Sequence, residues 1–197
     1  LHGVTPDTPV PCPATITAGK VFKNAEGEVL GTVPFRVDFA KSCNTAFIGE
    51  GKAITAQQLT DAAGLLGYRH LDVGAPLYGG SVPVTTDVAE HAANMIGQGK
   101  VQASPFAVAL ASASVGAGRT LQPRLVIDPK GPKAEPGPPL PAQAIDSLRQ
   151  LMRGVVTSGT GGAVLGIPGG DVYGKTGTAE FGNEDPPETH AWFTGYQ

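Results

Sequence analysis

The sequence GGDVYGKTGTAE, residues 169–180, decides between two folds for this chain. Its first eight residues match the pattern G-x-x-x-x-G-K-[ST] of a phosphate-binding loop. Such a loop must lead directly into a helix, because the N–H groups of the helix N-terminus face the phosphates. Here Gly177 follows at once, and residues 178–181 have strand character ahead of a double proline at 186–187. We therefore interpret residues 171–181 as a strand, and a nucleotide-binding protein is kept as a distant alternative.

A second short motif lies far upstream of this strand. Ser42-Cys43-Asn44 and Lys175-Thr176-Gly177 occur in the order of the second and third elements of the set S-x-x-K, S-x-N, K-T-G. This set is typical of serine enzymes that react with penicillin. Each triplet alone is short enough to arise by chance, whereas the ordered pair is more specific.

Longer segments around both motifs resemble the transpeptidase domain of class B penicillin-binding proteins. The matching segments are KSCNTAF at 41–47, IGQG at 96–99, SPF at 104–106, KTGTAE at 175–180 and HAWF at 190–193. The resemblance implies an α+β fold with an antiparallel sheet flanked by helices, the penicillin-binding transpeptidase (serine β-lactamase-like) fold. It also implies that residues 1–197 are the C-terminal portion of a single transpeptidase domain, incomplete at both ends.

The same resemblance implies an activity and its partners. A peptidoglycan D,D-transpeptidase cross-links stem peptides ending in D-Ala-D-Ala through a serine acyl-enzyme, and β-lactam antibiotics acylate the same serine. A non-catalytic β-lactam-binding or sensor domain of this fold is the alternative, since both kinds of protein acylate. Either protein would be extracytoplasmic, at the cell membrane or cell wall, with a membrane anchor outside this sequence.

Ser42 and Asn44 lie two positions apart, so on a continuous helix their side chains would point about 200° away from each other. We therefore expect the helix to break near Ser42. By resemblance, the Ser42 hydroxyl passes a proton towards the leaving group, and Asn44 hydrogen-bonds the substrate amide. The alternative is a Ser and an Asn on a solvated helix face.

The strand after Tyr173 carries the other group of candidate residues. Alternation puts Lys175 and Gly177 on one face and Thr176 and Thr178 on the other. By resemblance, Lys175 supplies positive potential beside the S-x-N serine, both threonine hydroxyls bind the substrate carboxylate, and the Thr178 N–H is an oxyanion donor. Gly177 leaves the strand edge free for substrate. The alternative is an exposed edge strand that happens to carry Lys and Thr.

The first element of the set is absent from the sequence. No serine has Lys three positions later, and Thr17-Ala18-Gly19-Lys20 has the spacing by coincidence in a stretch rich in Gly and Pro. In the family the nucleophile precedes S-x-N by several dozen residues, so we expect it upstream of Leu1.

Hydrophobic periodicity and turn residues predict the secondary structure. Residues 1–31 are predicted as loops with a hairpin, and the Pro-rich residues 129–141 as an exposed loop within the domain. Thr32 is the predicted cap of the first helix. The predicted helices cover about 32–47, 55–66, 86–96, 104–116 and 142–157, and the last strands cover about 171–181 and 190–196.

Composition excludes several functional classes. The net charge is −3, from 14 basic and 17 acidic residues, so there is no excess of positive charge to bind the phosphates of nucleic acid. No apolar run approaches the roughly 20 residues of a membrane span. The four histidines (His2, His70, His91, His190) lack metal-site spacing, and we expect neither a metal nor a cofactor.

The two cysteines, Cys12 and Cys43, cannot form a disulfide framework. A single bridge and two free thiols both stay open. Cys43 is interpreted as a small buried residue of the helix seam rather than a nucleophile.

Overall fold

The computed structural model describes residues 3–71, 73–125, 136–182, 184 and 187–197. Four strands precede the first α-helix, and two short strands lie among the later helices before a final long hairpin. In chain order the elements are β1 (Pro9–Cys12), β2 (Thr15–Ala18), β3 (Lys20–Lys23), β4 (Gly31–Pro34), α1 (Phe35–Lys41), α2 (Asn44–Glu50), α3 (Ala56–Leu65), β5 (Gly80–Ser81), α4 (Val88–Asn94), β6 (Gln102–Ala103), α5 (Pro105–Ala117), α6 (Ala142–Ser158), β7 (Tyr173–Phe181) and β8 (Glu188–Tyr196).

The N-terminal region holds two antiparallel strand pairs. β2 and β3 form a hairpin in the region where one was expected, and it turns at Gly19, with Ile16 opposite Phe22. β1 pairs with β4, so that Cys12 lies opposite Gly31. This second pairing was not predicted, because the two strands are separated by the whole hairpin and no local pattern announces it.

The helix predicted over residues 32–47 begins later than expected. Thr32 is not its cap, because it lies in β4 opposite Pro11, and α1 begins at Phe35. The helix then breaks at Ser42, whose φ of 63° is left-handed, and α2 begins at Asn44. The break that the spacing of Ser42 and Asn44 required is therefore present.

Apolar contacts hold α1 and α2 together across this break. The rings of Phe35 and Phe47 meet edge to face with centroids 5.3 Å apart, and Phe39 lies 5.8 Å from Phe47. Cys12 and Cys43 form a disulfide with a Cα–Cα distance of 6.2 Å, which joins β1 to the turn between the helices. The sequence left this bridge open, and Cys43 is fully buried as expected.

Local capping signals predicted the starts of α3 and α5. Thr55 and Gln58 form the expected capping box at the start of α3, and the Ser104 hydroxyl accepts a hydrogen bond from the Ala107 N–H at the start of α5. α4 is shorter than predicted, since it runs only from Val88 to Asn94 with Asp87 as its cap.

The long hairpin of β7 and β8 packs against α5 and α6. Lys175 is opposite Thr194, and Gly177 is opposite Trp192. Ile145 and Met152 of α6 pack into a core with Val115 of α5, and Tyr173 and Tyr196 of the hairpin pack against it. This arrangement is the predicted antiparallel sheet flanked by helices.

Two further predictions concern loops and membrane spans. Of the Pro-rich stretch 129–141, residues 129–135 lie outside the described residues. Two backbone hydrogen bonds tie the rest of this stretch to the residues after α5. The Thr120 N–H donates to the Pro138 carbonyl at 3.0 Å, and the Leu140 N–H donates to the Gly118 carbonyl at 3.0 Å. Among the helices described, none is long and apolar enough to cross a membrane.

Candidate active site

The turn at Ser42 and the strand β7 meet through two side chains. The Lys175 ammonium donates a hydrogen bond to Ser42 Oγ at 2.8 Å and another to the Thr176 carbonyl at 3.0 Å. Lys175 Nζ also lies 5.8 Å from the centroid of the Phe39 ring. The structure thus brings together two predicted residues that are far apart in sequence.

Burial changes the protonation of this lysine. Removal of the ammonium from water disfavours the charged form, so the pKa of Lys175 falls from 10.5 to about 8. With this pKa, Lys175 can either keep its own proton beside the Ser42 hydroxyl or release it near neutral pH.

Ser42 owes its position to the end of α1. Its N–H donates to the Phe39 carbonyl at 3.3 Å, and its left-handed φ of 63° ends the helix there. Left-handed backbone is costly for residues other than glycine. Strained backbone of this kind is common at functional sites, where the surrounding fold holds it in place.

Asn44 begins α2, beside Ser42 but on the other side of the break. Its side-chain amide donates to the Lys23 carbonyl at the end of β3, at 3.2 Å. This hydrogen bond points Asn44 towards β3 rather than towards Lys175. Asn44 is therefore near the turn, and its contact with the N-terminal hairpin was not anticipated from the sequence.

The two predicted threonines on β7 differ in their contacts. The Thr176 hydroxyl is hydrogen-bonded to the hydroxyl of Thr160, which follows α6. The Thr178 side chain is exposed, and its carbonyl accepts a hydrogen bond from Gln98 Nε2 at 2.9 Å. Since β8 pairs with β7 along one edge, this carbonyl marks the opposite edge, which pairs with no strand among the described residues and is called the open edge of β7. In a strand the N–H and C=O of one residue point to the same side, so the Thr178 N–H faces this open edge too.

Gly177 has no internal reason to be glycine. Its φ is not left-handed, and a side chain there would first meet Trp192 Cβ at 3.4 Å, which is ordinary contact. Gly174, three residues earlier, is different, because a side chain there would clash with the Phe193 ring. The space beside Gly177 is therefore open to an external molecule.

Thr160 and Gln98 are site residues whose contacts the sequence did not predict. Thr160 lies in the glycine-rich stretch 159–162, just beyond the helix predicted to about 157, and Gln98 lies in the matching segment IGQG. The glycine-rich stretch was a signal of close approach, since a side chain at Gly159 would clash with the Ala40 carbonyl.

Titratable and metal-ligating residues elsewhere form no second site of this kind in the described part of the chain. His91 Nε2 lies 2.8 Å from the Ile54 carbonyl, which gives it a structural contact, and His190 stacks on Phe181. His2 lies outside the described residues. The group of potential metal ligands found among the described residues is Cys12, Asp38 and Cys43, and its two sulfur atoms are bonded to each other.

The phosphate-binding interpretation of residues 169–176 is excluded by the backbone. Gly174, Lys175 and Thr176 lie inside β7, which continues to Phe181. No helix N-terminus follows the motif in the described residues, and the lysine points to Ser42 instead.

Comparisons with known proteins give the family of this chain. The family model described as the penicillin binding protein transpeptidase domain matches residues 2–197. Peptidoglycan D,D-transpeptidase PbpA of Mycobacterium tuberculosis is 33% identical over 181 residues, which cover 84% of this chain and 36% of that protein. PbpA of Mycolicibacterium smegmatis is 31% identical over 212 residues, covering 97% of this chain and 41% of that protein. The chain thus spans less than half the length of these relatives.

A solved structure shares the fold. Penicillin-binding protein A of M. tuberculosis, in its ceftriaxone acyl-enzyme complex, superposes with a TM-score of 0.83 at 27% identity, covering 98% of this chain and 47% of that one. The family model and the two relatives show that the chain belongs to the penicillin-binding protein transpeptidase family.

Proposed function

We propose that this chain is the C-terminal portion of the catalytic domain of a peptidoglycan D,D-transpeptidase. The enzyme would cross-link stem peptides that end in D-Ala-D-Ala through a serine acyl-enzyme, and β-lactams would acylate it. The observation that carries the proposal is the hydrogen bond of 2.8 Å between Lys175 Nζ and Ser42 Oγ. This hydrogen bond links the S-x-N motif to the K-T-G motif, and the proposed chemistry requires both motifs at the same site.

The first task of such a site is proton transfer to the leaving group. Ser42 is within hydrogen-bonding distance of Lys175, and a lysine pKa of about 8 allows the pair to exchange a proton near neutral pH. In its protonated form, Lys175 supplies positive potential towards the substrate carboxylate and the developing oxyanion. Asn44 would turn from Lys23 towards the substrate amide when substrate binds.

The second task is to hold the substrate along β7. An extended peptide can add to an open strand edge through backbone hydrogen bonds. The open edge carries the N–H of Thr178, which we propose as one oxyanion donor, and the space beside Gly177 admits the substrate. The hydroxyls of Thr176 and Thr178 would bind the terminal carboxylate, because hydroxyl donors to an ionised acceptor form strong hydrogen bonds.

The nucleophile of the reaction is not among these residues. Since no serine has Lys three positions later, we propose that a Ser-x-x-Lys element elsewhere in the full-length parent supplies it. We also propose an extracytoplasmic location, with the membrane anchor in another part of the parent. The β-lactam partner is supported by the ceftriaxone acyl-enzyme of the similar penicillin-binding protein A.

Single substitutions in the full-length parent test this function. Ser42→Ala and Lys175→Ala should each lower the rate constant of acylation by a fluorescent penicillin about 100-fold or more, which is typical for loss of a proton-transfer group. Lys52→Ala, which removes an exposed lysine away from the site, should leave the rate unchanged. Thermal melting identifies variants that fail to fold, and unchanged acylation by folded Ser42→Ala and Lys175→Ala would refute the proposal.

A further inference from the structure

Thr160 lies between the two elements that carry the proposed site. Its N–H donates to the Ala40 carbonyl at 3.1 Å, and Ala40 is in the last turn of α1, just before Ser42. Its hydroxyl is hydrogen-bonded to the hydroxyl of Thr176 on β7. One residue therefore contacts both the helix that leads to Ser42 and the strand that holds Thr176.

The glycines around Thr160 make this close approach possible. A side chain at Gly159 would clash with the Ala40 carbonyl, so only glycine lets the end of α6 come this near to α1. The Gly161 N–H donates back to the Val155 carbonyl at 2.9 Å, which fixes the turn to the end of α6. Thr160 is thus held by its backbone, and its hydroxyl is placed by the fold rather than by a flexible loop.

The contacts of Thr160 indicate where its hydroxyl proton goes. Two acceptors are in reach: the Ala40 carbonyl at 3.5 Å and Thr176 Oγ1, which is much closer. The Ala40 carbonyl already accepts the Thr160 N–H at a better distance. In the hydrogen bond between the two hydroxyls either oxygen can be the donor, and the shorter contact makes Thr176 Oγ1 available to the Thr160 proton.

We propose that Thr160 is a positioning residue for the carboxylate-binding hydroxyl of Thr176. A hydroxyl has a single proton and can accept as well as donate. With Thr160 as the donor of this pair, Thr176 keeps its own proton for the substrate carboxylate, and the contact fixes its side-chain rotamer. This inference rests on the proposed function, which assigns the carboxylate to Thr176.

Variants of the full-length parent separate this role from a structural one. The measurement is stopped-flow acylation by a fluorescent penicillin, which gives the dissociation constant of the initial complex and the acylation rate constant separately. Thr160→Val should raise the dissociation constant about threefold to tenfold, as expected for loss of one neutral hydrogen bond, and change the acylation rate constant less. Thr160→Ser keeps the hydroxyl and should bind as the parent does. Thr157→Val, which removes an exposed hydroxyl from the end of the same helix, is the matched control.

A double-mutant cycle gives the readout that a structural role would not change. If Thr160 acts through Thr176, then Thr160→Val adds nothing to the effect of Thr176→Val. Additive effects of the two substitutions, or a normal dissociation constant for folded Thr160→Val, would overturn the inference. If Thr160→Val does not fold, Thr160→Ala removes the same hydroxyl with no added bulk and is measured in the same cycle.

Failure of this inference differs from failure of the proposed function. If the proposed function is wrong, folded Ser42→Ala and Lys175→Ala keep the acylation rate of the parent. If only the role of Thr160 is wrong, those two variants lose acylation while Thr160→Val binds penicillin normally.

Discussion

Asp38 is a fully buried carboxyl group in α1, beside the disulfide. Neither of its oxygens has a hydrogen-bond partner among the described residues. Burial disfavours the ionised form, and the negative charge of Glu28 adds to this effect, so the pKa of Asp38 rises from 3.8 to about 6. Asp38 therefore makes the stability of the fold depend on pH.

The direction of this dependence follows from proton binding. The folded state holds the Asp38 proton more tightly than the unfolded state does, so the contribution is fully present below pH 4 and is lost as pH rises through 6. A shift of this size corresponds to about 3 kcal/mol. We predict that Asp38→Asn removes most of the fall in unfolding free energy between pH 4.5 and pH 7.5, as measured by urea denaturation.

The control for this prediction is Asp61→Asn. Asp61 is exposed on α3, where it accepts a hydrogen bond from Gln57, and its replacement should leave the pH dependence as it is. An equally steep fall in Asp38→Asn and in the unsubstituted chain would show that Asp38 ionises normally in the folded state.

At the scale of elements, the disulfide sets the geometry of the S-x-N turn. Cys43 stands between Ser42 and Asn44, and its bond to Cys12 ties the turn to β1. The Asn24 side chain reinforces this region, because its amide donates to the Pro13 carbonyl at 2.9 Å and its oxygen accepts the Thr45 N–H at 2.9 Å. The turn is thus held from the N-terminal strands as well as from its own helices.

Removal of this bridge should lower stability. The bridge closes the loop between Cys12 and Cys43. Loss of such a constraint on the unfolded chain costs about 2–4 kcal/mol. We predict that Cys12→Ala/Cys43→Ala lowers the unfolding free energy by this amount, measured by urea denaturation. The unsubstituted chain in reducing agent should show a similar loss, and equal stability with and without the bridge would contradict the prediction.

Local signals in the sequence were sufficient for several helix starts. Thr55 and Ser104 cap their helices through contacts three residues away, which a short window of sequence contains. Thr32 looked like the same kind of signal, but its backbone pairs with Pro11 in another strand. Pairing between distant segments overrode the local preference, and sequence pattern alone does not reveal such pairing.

The candidate site was predictable only where motifs mark it. Ser42 and Lys175 were identified because each lies in a motif of known order, and the chemistry required them to meet. Thr160 and Gln98 were not identified as site residues, because their contacts with Thr176 and Thr178 depend on how α6 and the segment after α4 pack against β7. Side chains brought to a site by packing leave no spacing signal in the sequence.

For the whole molecule, the proposed reaction needs a Ser-x-x-Lys element, which this sequence does not contain. The chain brings Ser42 and Lys175 together but has no Ser-x-x-Lys element. We predict that the isolated chain of 197 residues forms no covalent adduct with penicillin in intact-mass analysis, because it lacks the nucleophile.

The full-length parent provides the positive control under the same conditions, and circular dichroism shows whether the isolated chain is folded. A mass increase of one penicillin on the folded, isolated chain would mean that one of its own residues is the nucleophile, and the assignment of Ser42 would have to be reconsidered.

The open edge of β7 also has a consequence for solubility. A strand that stays unpaired to receive a peptide offers the same row of N–H and C=O groups to a second molecule of the protein, and such edges promote aggregation. Charged side chains on an edge strand oppose this pairing, and β7 carries Lys175 and Glu180. Gln98 occupies the Thr178 carbonyl at the same edge. The hydrogen bond from Gln98 therefore also shortens the part of the β7 edge that is free to pair with a strand of a second molecule.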